Sequence, residues 1–233
     1  MLTGRWRGAE ALLRWHHPTL GVVSPAEFIP IVEKTSLARV ATEWVLETAM
    51  SQLAARRADG IDVQLSVNVS ATNLLETDFA SAVLARLEKH GLPPRLLEIE
   101  LTESAVMTNP VQAERTFGAL HAAGVVLAID DFGTGYSSLS YLQKLPADVV
   151  KIDRSFILEL GSVRGKALVQ AMISLLHGLG YWVVAEGIAT EDVADVLRDM
   201  GCNEAQGYLH AKPLSPEVFR RGWASQLPSP GVS

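Results

Sequence analysis

An α/β fold built on parallel strands is what this sequence predicts, and three observations carry the prediction. From Gln64 onward, short β-branched runs alternate with longer helical patterns, the rhythm of strands joined by crossover helices. Glycine stands at or just past the end of several helical patterns, at Gly60, Gly91, Gly124, Gly180 and Gly201, where the backbone turns left-handed after a helix. At 233 residues and 48% hydrophobic content, the chain suits one large domain of the size that single TIM-type (β/α) barrels reach.

Taken in order, strands are expected at residues 6–15, 63–69, 97–102, 125–130, 149–152 and 182–185, with a weak one at 203–206. Helices are expected between them at residues 37–57, 79–90, 111–123, 165–179 and 190–200, where apolar residues recur at three- and four-residue steps. The domain is expected to span residues 1–227, and the Pro-, Ser- and Gly-rich residues 228–233 to form a disordered tail. Seven strands fall one short of the eight that close a barrel of this class, so either one strand escapes this reading or the chain starts late.

Composition excludes several functions. A net charge of -6 and a pI near 5.5 argue against binding a DNA or RNA duplex, which calls for a basic stripe. The one cysteine, Cys202, allows no internal disulfide, which suits a reducing, cytoplasmic setting. It reads as a small buried apolar residue. Residues 1–8 lack the apolar core and cleavage site of a signal peptide, and no apolar run approaches the roughly 20 residues of a membrane span. No membrane contact is therefore expected of this segment. Asn68-Val69-Ser70 fits a glycosylation sequon, but an apolar alternating run in a chain with no secretion signal is the wrong context.

The polar residues fall in a pattern. Acidic and amide residues stand at the C-terminal ends of successive predicted strands: Asn68, Glu100, the pair Asp130-Asp131, Lys151 with Asp153, Glu186 and Gln206. Glu10 lies within the first strand and has to point to the same end to join them. Barrels of this type place their chemistry there. Any one of these residues alone could cap a helix or lie in solvent; recurrence on consecutive strands points elsewhere. Converging carboxylates raise one another's pKa unless a cation compensates, so the set implies bound metal. All-oxygen donors favour Mg2+ or Mn2+ over Zn2+. The tandem Asp130-Asp131 suits two ions with one carboxylate bridging, an arrangement that stabilises both the attacking and the leaving oxygen of a phosphodiester. Lys151 among carboxylates suits a role in orienting water or neutralising phosphoryl charge. His16 and His17 are adjacent and point to opposite faces of an extended segment, which makes them poor ligands. Asp131-Phe132-Gly133 matches a kinase triplet, but no glycine-rich hairpin or His-Arg-Asp loop accompanies it. The glycines flanking Thr134 suit a loop that orders over substrate.

Assembled, these residues resemble the EAL domain family from about Gly8 to Phe219. The naming triplet is Glu10-Ala11-Leu12, within a match that runs through Trp15. There follow Ser66-Val67-Asn68-Val69-Ser70, Glu98-Ile99-Glu100-Leu101-Thr102-Glu103-Ser104, and the run from Asp130 through Phe132-Gly133-Thr134-Gly135-Tyr136 to Leu139. Lys151-Ile152-Asp153, Ala185-Glu186-Gly187 and Gln206-Gly207-Tyr208 complete the set, in order.

The resemblance implies hydrolysis of cyclic di-GMP to linear pGpG with two Mg2+ or Mn2+ ions. By motif, Glu10, Asn68, Glu100 and Asp130 would hold the first ion. Asp130 and Asp131 would hold the second, with Glu186 on that side. Lys151 would position the attacking water, Gln206 would support the site, and Arg14 and Asp153 would contact substrate. Glu103 would anchor the loop that begins at Asp131, and a homodimer would form through about residues 137–145. The chain departs from the family in lacking a first strand with Tyr-Gln-Pro, in Ala189 where a Glu is usual, in Ser36 for Gly, and at His210 and Lys212. The first two departures leave a second function open, a silent receptor that binds cyclic di-GMP and signals to a protein partner; an unrelated metallophosphoesterase is a third. Sensory or GGDEF-type domains would lie outside this chain.

Overall fold

The computed structural model describes residues 6–74, 76–135 and 142–226. The chain divides into two compact units: Gly8–Leu101 with Ala105–Val126, and Leu127–Ser233 with Met1–Arg7 and Thr102–Ser104.

In the first unit β1 (Gly8–Ala11), β4 (Gln64–Asn68) and β5 (Leu97–Thr102) pair in parallel in that order. Residues expected to form one strand over 6–15 instead give β1 and half of a hairpin, β2 (Trp15–His17) against β3 (Gly21–Val23). His17 explains the break: its Nδ1 faces the backbone N–H groups of Thr19 and Leu20, both at 3.2 Å, and organises the reversal. Next come α1 (Pro25–Glu33) and α2 (Leu37–Ala58). The buried stripe Ala38, Thr42, Leu46, Ala49, Met50 and Leu53 keeps helical spacing on α2. A short α3 (Ala71–Leu74) and α4 (Phe79–Lys89) follow β4, then α5 (Glu103–Thr108) and α6 (Pro110–Ala122) follow β5. Asn109 caps α6 by accepting the Gln112 N–H, and Phe117 and Leu120 are wholly buried beneath it.

The second unit is a parallel set in chain order: β6 (Val126–Phe132), β7 (Val149–Ile152), β8 (Trp182–Ala185) and β9 (Glu204–Ala205). Between and after them run α7 (Arg154–Leu158), α8 (Val163–Gly178), α9 (Glu191–Asp199) and α10 (Pro216–Gln226). Strands buried on both faces read as continuous apolar runs, and Val149, Val150 and Ile152 of β7 are all buried. The Asp148 carboxylate accepts the Leu127 N–H at 2.9 Å and its carbonyl the Trp182 N–H at 2.9 Å, which ties the starts of three strands together. The five glycines expected to follow helices all have positive φ. Among the described residues no helix is long and apolar enough to cross a membrane.

Candidate active site

In the first unit, strand register brings three of the expected residues together. Asn68 lies opposite Glu100 across β4 and β5, and Glu10 lies opposite Ser66 across β1 and β4. The Asn68 amide donates to Glu10 Oε1 at 2.6 Å, which leaves the amide oxygen as the atom a cation would take. Glu100 is only 1% exposed, an expensive place for a carboxylate without a compensating partner.

The second unit holds Asp130, Asp131, Lys151 and Glu186. Alternation along a strand sends consecutive side chains to opposite faces, so Asp130 and Asp131 should diverge. They do not, because β6 carries a bulge. Ile129 pairs with Val150 and Phe132 with Ile152, so Asp130 and Asp131 together oppose Lys151 alone. Asp131 takes φ 54°, the one positive φ outside glycine among the described residues, and its N–H donates to Asp130 Oδ1 at 2.9 Å. The result is a cluster in which carboxylate oxygens of Asp130, Asp131 and Glu186 all lie within 4.8 Å of one another.

Lys151 is embedded in this cluster. Its side chain is 2% exposed, with Nζ 2.6 Å from Glu186 and 3.6 Å from Asp130. One ammonium contacts two of the three carboxylates, and the remaining negative charge and purely oxygen donors fit a hard divalent cation. Glu186 is held by its N–H donating to the Ile152 carbonyl at 3.1 Å, and Gln206 by its N–H donating to Ala185 at 2.8 Å.

The loop after β6 is tethered through Glu103. This residue is 4% exposed, and its Oε2 accepts the Gly133 N–H at 2.8 Å. The Thr134 N–H and hydroxyl both donate to the Asp131 carbonyl, at 3.2 and 2.8 Å, closing a tight turn. Two other expected residues make different local contacts. Asp153 Oδ1 caps α7 by accepting the Ser155 N–H at 2.9 Å, and Arg14 Nη1 donates to the Leu13 carbonyl at 2.9 Å. Residues 136–141, which include most of the segment expected to dimerise, lie outside the described residues. The bulge was not foreseen from sequence; its one local signal is the glycine two residues after Asp131.

The model of the EAL domain matches residues 1–213. The chain belongs to the EAL domain family. A cyclic di-GMP phosphodiesterase of Pseudomonas aeruginosa is 44% identical over 216 residues, covering 92% of this chain and 37% of that protein. An uncharacterized protein of Azorhizobium caulinodans is 46% identical, covering 93% of this chain and 30% of its own length. This EAL domain thus spans about a third of the curated relatives it matches. Among solved structures, the PaMucR phosphodiesterase in complex with c-di-GMP superposes with a TM-score of 0.86 at 41% identity, covering 90% of this chain and 86% of the other. The FimX EAL domain from Pseudomonas aeruginosa bound to c-di-GMP gives 0.82 at 25% identity, covering 89% and 84%. The fold class is the one expected from sequence, the EAL form of the TIM-type α/β class.

Proposed function

We propose that this EAL domain hydrolyses one phosphodiester of cyclic di-GMP to linear pGpG. The carrying observation is the β6 bulge, which turns two consecutive aspartates to the same side, against a buried lysine. Similarity to a named cyclic di-GMP phosphodiesterase and to a c-di-GMP complex supports the choice of substrate.

In this reading Glu10, Asn68, Glu100 and Asp130 would hold one Mg2+ or Mn2+ ion, and Asp130 and Asp131, with Glu186, would hold a second. Bound there, the ions supply Lewis acidity that acidifies a water and offsets charge on the phosphoryl group. Lys151, fixed by Glu186, holds the attacking water by hydrogen bonding and opposes the charge that grows on phosphorus oxygens. The water oxygen bonds to phosphorus as the P–O3′ bond breaks, leaving a 5′-phosphate and a 3′-hydroxyl. Arg14, Asp153 and Gln206 contact substrate, and Glu103 holds the loop after Asp131. The protein works in the cytoplasm as a homodimer.

The test is pGpG release from cyclic di-GMP with Mn2+ or Mg2+, lost on chelation and restored by either ion. A folded sample that binds cyclic di-GMP and manganese without turnover would overturn the hydrolase and establish the receptor.

A further inference from the structure

The bulge in β6 is held on one side by Glu103, and something must oppose it on the other. Gly133, with φ 97°, lies against the Phe156 ring of α7. A Cβ built on Gly133 would sit 2.6 and 2.7 Å from Phe156 Cε2 and Cζ, and 3.1 Å from Met172 Cε of α8. No side chain fits there, so backbone and ring are in direct contact. The same glycine donates its N–H to Glu103 at 2.8 Å. The residue two after Asp131 thus contacts both the Glu103 carboxylate and the Phe156 ring.

Phe156 is also tied to the strand that carries Lys151. It lies one helical turn after Asp153, and its N–H donates to the Asp153 carbonyl at 3.2 Å. The residue that packs on the Asp131 loop is therefore anchored just past the end of β7. Asp131 gains from such support, because a positive φ is uncommon for a residue with a Cβ even though aspartate tolerates it better than most.

We propose that Phe156 is a positioning residue for Asp131: through Gly133 it keeps the bulge in the conformation that presents this carboxylate beside Asp130. The proposal rests on the metal reading above. Supports lying behind metal ligands commonly cost about 10- to 100-fold in metal affinity when removed.

The test uses Phe156→Ala and Phe156→Leu, with Mn2+ titrated calorimetrically in the absence of substrate and folding followed by circular dichroism. Phe156→Ala should weaken Mn2+ binding about tenfold, with Phe156→Leu intermediate. In an Asp131→Asn background Phe156→Leu should change Mn2+ affinity no further, since residues acting through one ligand are not additive. Lowered thermal stability with unchanged Mn2+ affinity in both variants would overturn the proposal and leave Phe156 a packing residue. Should Phe156→Ala fail to fold, Phe156→Leu decides by the same criterion. A folded wild type that takes up no Mn2+ would remove the metal reading itself, and this proposal with it.

Discussion

Lys151 and Arg39 each stand among several carboxylates, yet they belong to different kinds of structure. Lys151 is 2% exposed and contacts Glu186 and Asp130. Arg39 is 52% exposed and reaches Glu43 at 3.0 Å, Asp78 at 3.4 Å and Glu76 at 3.6 Å. Its hydrogen bond with Glu43 and its acidic neighbours raise its pKa, but water screens the network, and such pairs add little to stability. Burying the lysine with its carboxylates is costly unless the geometry is closely satisfied. Depth, more than the number of ion pairs, separates the proposed catalytic cluster from the surface network.

The comparison would break most clearly at Asp130. Asp130→Asn should reduce pGpG formation by at least about a thousandfold while the circular dichroism spectrum is retained. Lys151→Met should lower turnover several hundredfold, on the order of an oxyanion-type contact, and in urea titration should cost about 3 kcal/mol, because its buried partners are left uncompensated. Gly133→Ala should lower turnover about a hundredfold, since a small displacement of a reacting group has that effect. Arg39→Ala should leave turnover unchanged and barely move the melting temperature.

The smallest effect belongs to Glu47, another exposed carboxylate. Hydrogen bonds from Lys89 at 2.5 Å and with His90 at 3.0 Å hold its pKa below the ordinary 4.5. A depressed carboxyl contributes stability above its unfolded-state pKa and loses it as pH falls through the folded value. The difference in melting temperature between wild type and Glu47→Gln should therefore be present at neutral pH and vanish in acid below 4.5.

Legibility followed the physics of each element. Strands β7 and β8 fall at the expected positions because each is a short, mainly apolar run bounded by breaks, and β5 because Leu97, Ile99 and Leu101 alternate with polar residues. The β2–β3 hairpin and α1 escaped: the hairpin is closed by local contacts to His17, and α1 carries Pro30 within it, an unfavourable signal for a helix. At the site, the positions of the polar residues were readable from strand ends. Their direction was not. The tandem Asp130-Asp131 implied a shared site that a strand period of two alone would deny; the bulge that reconciles them lies in the register with β7, and Glu103, 30 residues from Gly133 in sequence, holds the loop that follows.

Cys202 offers a practical consequence. It is the chain's one cysteine, and its Sγ lies 3.2 Å from the Glu204 carbonyl. Burial pushes its thiol up to about 11, so almost no thiolate exists at neutral pH to react with a maleimide. A cysteine engineered at any exposed position would thus take a fluorophore or spin label selectively, without first removing the native thiol.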